Sequence, residues 1–282
     1  MTTANMSGNQ APVRPLKSRE EGRERKLLHW IYGQPNLDLI RGNPQKVLDL
    51  IDEFSETYYF MTVGQEKGPI VTELIDKHKP KTMIELGCYI GYSAILFGDA
   101  VRRNGGTRYY SLELNPEFAA IANMLIELAG LRDFVRVLVG RSDVLLDRLF
   151  KSGEVEHVEL LFIDHYKPAY TLDLKLCEQL GKIVPGVSVI AADNVIRPGN
   201  PPYLEYVRSS VEKKREEAAK GPSKAYTTEG FEETTVRNFM GPNSGPEFEI
   251  LGDPNLVYES VLRQPEGYPD AIEVTRCVGI QK

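Results

Sequence analysis

From Pro80 onward the chain alternates between two textures, and this alternation constrains its fold more than any other feature. Short β-like runs occur at KTMIEL (81–86), TRYYSLEL (107–114), FVRVLVG (134–140), VELLFID (158–164) and VSVIAAD (187–193). Between them lie stretches whose apolar residues recur at spacings of three and four, as on a one-sided helix. NPEFAAIANMLIELAG is the clearest of these: Asn115 can cap the helix, Pro116 suits its first position and Gly130 suits its end. TLDLKLCEQLGKIV (171–184) repeats the logic, with Leu172, Leu176 and Leu180 on one face. Such alternation predicts an α/β fold, a mostly parallel sheet with helices on both faces. Ligands then bind beyond the carboxyl ends of the strands, near the point where strand order reverses.

The flanks complete the plan. Residues 24–79 read as helices, through VLDLIDEFSETYYFM and KGPIVTELIDKH. Residues 1–23 form a polar tail, expected to be disordered and lacking the apolar stretch of a secretory signal. Residues 209–252 are a polar insertion, with EKKREEAAKGPSK as a solvated helix face. NLVYESVL (255–262) and AIEVTRCVGI (271–280) supply two closing strands, expected as a hairpin at one sheet edge. Residues 24–282 are therefore expected to form a single domain.

Composition narrows the function. Three cysteines, Cys88, Cys177 and Cys277, are too few and too scattered for a disulfide framework or a zinc site. No apolar run reaches the roughly 18 residues of a membrane span. A net charge of −6 disfavours broad binding to nucleic acid. The expectation is a cytoplasmic protein acting on a small molecule, with neither nucleic acid nor membrane as partner.

MIELGCYIGYS (83–93) is a strand, a glycine turn and a helix start. Gly87 and Gly91 let the backbone approach a ligand, and the helix start offers free N–H groups. The middle glycine of the dinucleotide fingerprint is missing, because Tyr89 stands there, and a pyrophosphate would be crowded. A nucleoside would not be. Glu113, at the end of the second strand, is placed to hold a ribose by its two hydroxyls. Glu85, ending the first strand, puts a carboxylate near the same pocket, which suits a cationic sulfonium better than a phosphate.

The fourth and fifth strands end at Asp164 and at Asp193–Asn194. Two carboxylates and an amide oxygen without a Cys or His pair suggest a hard cation, and Mg²⁺ fits best. Lys167 follows three residues after Asp164. Beside a divalent cation its ammonium form is disfavoured, which leaves an amine suited to general-base work.

These residues, with MTVG..KG (61–68), IELGCYIGYSA (84–94), ELNPEFAAIA (113–122), LAGLRDFVRVLVG.S (128–142), FIDHYK (162–167) and ADNVIRPGNPPYL (192–204), resemble the catechol O-methyltransferases in order and spacing. The resemblance implies a Rossmann-like class I methyltransferase with a seven-stranded sheet. It implies S-adenosylmethionine against Met61, Val63, Gly87, Tyr89 and Ser93, with the ribose on Glu113 and the adenine near Leu114, Ser142 and His165. Mg²⁺ would be held by Asp164, Asp193 and Asn194, with Lys167 as base and Pro198, Tyr59 and Tyr166 walling a catechol ring. The implied activity is methyl transfer to one hydroxyl of a vicinal diphenol, with a flavonoid or caffeoyl compound as the alternative acceptor and a monomer as the expected state.

Two departures stand out. The family has tryptophan where this chain has Tyr59 and Tyr166. Its substrate-binding glutamate aligns with Val257, and Glu259, two residues on, is the candidate replacement. NPPY (200–203) matches a motif of adenine amino-methyltransferases, but it follows the fifth strand here, whereas in those enzymes it follows the fourth.

Overall fold

Among the described residues seven strands form one sheet in the order β3-β2-β1-β4-β5-β7-β6. The computed structural model describes residues 20–233 and 245–282. Most of the expected N-terminal tail (1–19) and part of the insertion (234–244) lie outside the described residues. Among the described residues four helices come first, α1 (Arg23–Tyr32), α2 (Leu37–Ile40), α3 (Pro44–Phe54) and α4 (Gly64–His78). The alternating part follows as β1 (Thr82–Leu86), α5 (Tyr92–Arg103), β2 (Arg108–Glu113), α6 (Pro116–Leu128), β3 (Val135–Val139), α7 (Ser142–Lys151), β4 (Leu160–Ile163), α8 (Tyr170–Gln179) and β5 (Val189–Ala192). Helices α9 (Pro201–Arg208) and α10 (Val211–Ala218) lead to β6 (Leu256–Arg263) and β7 (Ile272–Ile280).

Strands β1 to β5 are mutually parallel, and β7 runs antiparallel between β5 and β6. The hairpin therefore closes one edge, with β6 outermost. Chain order reverses between β1 and β4, which makes their carboxyl ends the place where such a sheet binds ligands.

Alternation along the strands divides the core. Met83 and Phe162 face the layer of α3, α4 and α5, while Ile84, Leu86, Leu161 and Ile163 face the layer of α7, α8 and α9. All four residues of β4 are completely buried, each worth about 1.5–3 kcal/mol of apolar burial. Local signals fix the ends of helices. Asn115 accepts from the backbone N–H of Glu117 at 2.9 Å and starts α6. The helix read over 171–184 stops earlier, at Gln179. Gly181 takes φ +67°, its N–H reaches the Glu178 carbonyl and the Lys182 N–H reaches that of Cys177, the paired bonds of a glycine stop.

The register sets up the site. Leu112, Leu86, Ile163 and Ala192 lie side by side on β2, β1, β4 and β5. The next residue on each strand therefore emerges at the same rim, and these are Glu113, Gly87, Asp164 and Asp193. Backbone bonds continue the ladder one step into this row: Gly87 N donates to Leu112 O, Asp164 N to Leu86 O and Asp193 N to Ile163 O.

Candidate active site

Above this row opens a cavity of 1590 Å³, more than one drug-sized ligand needs. It is lined by Met61, Val63, Gly87, Tyr89, Ser93, Glu113, Leu114, Ser142, Asp164, His165, Lys167, Asn194 and Pro198, and by the aromatic Tyr59 and Tyr166. One cavity thus gathers residues that the sequence distributes over more than a hundred positions.

On the β1–β2 side, Gly87 has φ +98°, and a Cβ there would collide with the backbone carbonyl of Asp164. Only glycine lets the two strand ends run this close. The loop is stapled by Glu113. One carboxylate oxygen accepts from Cys88 N at 3.1 Å and Tyr89 N at 2.8 Å, and the other accepts from Asn115 N at 2.8 Å. Tyr89, at φ +48°, packs edge-on against Phe118 at 4.9 Å and donates its hydroxyl to Glu24. Helix α5 starts directly after Gly91 (φ +88°) and leaves its first N–H groups near the cavity.

Glu85 departs from the expectation. Strand alternation turns it from the rim into the layer of α5, beside Ser111, its register partner on β2. It is fully buried, accepts from the Ser111 hydroxyl at 2.5 Å and does not line the cavity. Burial pushes its pKa up to about 8, so the side chain is mostly protonated at neutral pH and offers a sulfonium no charge.

On the β4–β5 side, two lysines thread an acidic cluster. Lys167 Nζ donates to Asp164 Oδ1 at 2.9 Å, to Asn194 Oδ1 at 2.8 Å and to the Tyr170 hydroxyl at 2.6 Å. Lys67, reaching in from α4, donates to Asp193 Oδ1 at 2.6 Å and to Asp270 Oδ2 at 2.5 Å. Asp270, just before β7, also accepts from the backbone N–H of Arg197 at 2.9 Å and from Asn194 Nδ2 at 2.8 Å. Lys67 and Asp270 were given no role from the sequence. Lys67 belongs to the MTVG..KG motif, whereas nothing near Asp270 in the chain announces its partners.

The acids of this cluster are only partly balanced by its lysines. Three acids, Asp164, Asp193 and Asp270, face two amines, Lys67 and Lys167, so the acids outnumber the amines. Burial first, then the Asp164 charge, push the Asp193 carboxyl above the ordinary carboxylate range, even with Lys67 opposing. Asp270, less deeply buried, is held below that range by Lys67 although burial opposes it. Asp164, Asp193 and the Asn194 amide oxygen form a hard-oxygen set of the kind a divalent cation suits, although Asp193, held by Lys67, is not among the residues that line the cavity. Among the described residues no three His, Cys, Asp or Glu side chains form a metal-holding group, so the amide would have to be the third ligand.

His165 bonds Asp173 at 2.7 Å and stacks on Tyr170 at 5.2 Å, so it is partly a structural residue. Asn200 of NPPY caps α9, accepting from Tyr203 N at 3.3 Å, and its amide holds the Lys167 carbonyl at 2.8 Å. That is a structural use of the motif. The structure does not bring Glu259 to the cavity. It sits on the outermost strand opposite Arg276 and pairs with it in solvent at 2.8 Å. Val257 is likewise absent from the lining, and Tyr268 and Asp270 provide the polar wall on this side. Among the described residues no helix is long and apolar enough to cross a membrane.

Comparison with known proteins agrees with this geometry. A family model described as O-methyltransferase matches residues 44–209. A catechol O-methyltransferase from Bos taurus is 34% identical over 82% of this chain and 82% of its own length. Another, from Mus musculus, is 41% identical over 60% of this chain and 63% of its own length. Among solved structures, the O-methyltransferase TomG from Streptomyces achromogenes shares the fold at a TM-score of 0.54 and 18% identity, covering 93% of this chain and 100% of that one. The chain belongs to the O-methyltransferase family and is an S-adenosylmethionine-dependent O-methyltransferase.

Proposed function

We propose that this enzyme methylates one hydroxyl of a small vicinal diphenol of the catechol type, with Mg²⁺ as its metal. The observation that carries this reading is the shared rim, where Glu113, Gly87, Asp164 and Asp193 stand in one row with Lys167 and Asn194 beside them. The cavity has room for donor and acceptor together. The donor lies along Met61, Val63, Gly87, Tyr89 and Ser93, its ribose on Glu113 and its base near Leu114, Ser142 and His165. Asp164, Asp193 and Asn194 would hold the divalent cation, which would supply Lewis acidity to the two adjacent hydroxyls.

Lys167 takes the proton of the hydroxyl to be methylated. The phenolate oxygen then forms the new O–C bond as the S–C bond of the sulfonium breaks, and the donor leaves as a neutral thioether. Tyr59, Tyr166 and Pro198 wall the ring, and much of the acceleration comes from holding oxygen and methyl in line. The names of the bovine and murine relatives support catechol as the acceptor class. The buried, unpaired cysteines suit a reducing cytoplasm, where we place the enzyme as a monomer.

A panel of phenols with a labelled methyl donor tests the reading. Catechol and its caffeoyl and flavonoid derivatives should take up label, in an order that identifies the preferred acceptor. Resorcinol, whose hydroxyls are not adjacent, should not. Equal labelling of resorcinol or phenol would overturn the vicinal-diphenol assignment.

A further inference from the structure

The insertion between α10 and β6 is anchored to the active-site rim. Its two described pieces close on each other, with Ser223 N donating to Ile250 O at 2.7 Å and Ile250 N to Ser223 O at 3.1 Å. Ile250 is fully buried in the core beneath α7 and α8, and Leu251 N donates to Gln179 at 2.8 Å. A few residues before Ile250, the Gly245 carbonyl accepts from Arg141 Nη2 at 2.7 Å, and Glu247 N donates to the buried Asp143 at 2.6 Å. Arg141 and Asp143 are themselves paired at 2.9 Å. These two residues flank Ser142, at the start of α7 beyond β3. These hydrogen bonds anchor the strap on the β2–β3 side of the cavity, while Gly230, farther along its first piece, packs against Pro201 and Pro202 at the start of α9.

Tyr226, on this strap, is half-buried and lines the cavity. Its ring meets Tyr166 edge-on at 5.5 Å and 81°, so the two rings form an aromatic corner. Burial, with the charges of Asp173 and Asp143, raises the pKa of its phenol, leaving a neutral hydroxyl. Such a corner accommodates a flat aromatic ring, and because the strap is anchored on either side of Ser142, the face that Tyr226 offers is turned to the donor's base while Tyr166 stands between base and acceptor.

We propose that Tyr226 is a binding residue for the nucleoside end of the methyl donor, held over the base by the anchors that join the strap to Arg141 and Asp143. This assigns the insertion to the donor site, and it rests on the reading of the Gly87–Glu113 side as that site. Stacking of a base on an aromatic ring is lost on truncation to alanine, so affinity should fall about tenfold.

Calorimetric titration of S-adenosylhomocysteine into the full chain, with chelator and without acceptor, tests the proposal. Tyr226→Ala should raise Kd about tenfold, with an unfolding midpoint close to that of the wild type, and Tyr226→Phe should bind as the wild type does. Should Tyr226→Ala fail to fold, Tyr226→Leu keeps the bulk without the ring and should show the weakening. A Kd within about twofold of wild type for the folded variant overturns the proposal. So does an unchanged Kd with a raised KM for the acceptor, which would put Tyr226 on the other side of the cavity. Glu113→Ala separates the two readings. Wild-type affinity in that variant, or no binding by the wild type, overturns the donor site itself and the proposal with it.

Discussion

Replacing Lys67 with methionine tests the electrostatics of the rim. Lys67 is 2% exposed, and the carboxylates it joins, Asp193 and Asp270, are 1% and 4% exposed. Methionine fills a similar space but leaves both acids, and Asp164 near them, with Lys167 as the nearest remaining cation. Removing one partner from a buried ion pair costs about 3–5 kcal/mol, because the other charge stays behind. In a domain of this size each kcal/mol moves the unfolding midpoint by roughly 2–4 °C. Lys67→Met should therefore unfold about 6–20 °C below the wild type at pH 8 in EDTA.

The direction of the pH dependence follows from the same pairing. Without the ammonium, the folded-state pKa of Asp270 loses the influence that lowers it, and that of Asp193 climbs further. A carboxyl with a raised folded pKa favours the fold while protonated, and that contribution is lost as pH rises through the folded value. The deficit should therefore shrink toward pH 5 and widen toward pH 8. Thermal unfolding followed by circular dichroism across this range is the assay. A midpoint within about 2 °C of the wild type at pH 8, or a deficit that grows on acidification, would refute the reasoning.

Three further outcomes follow. Lys167→Ala should lower kcat by about 10²–10⁴-fold, the usual scale for a lost general base, while S-adenosylhomocysteine affinity stays within about threefold. Retention of near-normal turnover would remove Lys167 as the base. Glu113→Gln keeps the shape of the staple but weakens its acceptors, and should raise the Kd for S-adenosylhomocysteine by about tenfold, one charge-assisted hydrogen bond's worth. An unchanged Kd by calorimetry would count against the ribose assignment. Glu85→Gln should leave donor affinity unchanged, since the carboxyl lies outside the cavity. Because the folded pKa of Glu85 is raised from 4.5 to about 8, the wild type should lose stability as pH rises between those two values while the amide does not, and parallel pH profiles would contradict this.

The sheet was legible because its signals are local. Each strand is a short apolar run, and a polar residue at the end of a parallel strand has only the rim to occupy. Asp164 and Asp193 were found on that argument, and the register places them side by side. What could not be read depends on pairing between distant elements. Lys67 meets Asp193 and Asp270 across 126 and 203 residues, and no spacing along the chain encodes those distances. Glu85 and Glu259 were misplaced for separate reasons. Glu85 is turned inward beside Ser111 by the alternation of its own strand, and Glu259 faces Arg276 through a hairpin register that the sequence alone does not give. The insertion reads as polar and irregular from its composition. Its anchors, backbone groups meeting Arg141 and Asp143, leave no side-chain signature.

The central claim is that the oxygen set at the rim holds a divalent cation on which methylation of a vicinal diphenol depends. The most direct test is the rate of catechol methylation by enzyme stripped with EDTA, followed by titration with Mg²⁺. The account predicts that turnover falls to background in chelator and returns in full as Mg²⁺ is added, with no such return in an Asp164→Ala, Asp193→Ala double variant. Catechol turnover that persists undiminished in EDTA would contradict it.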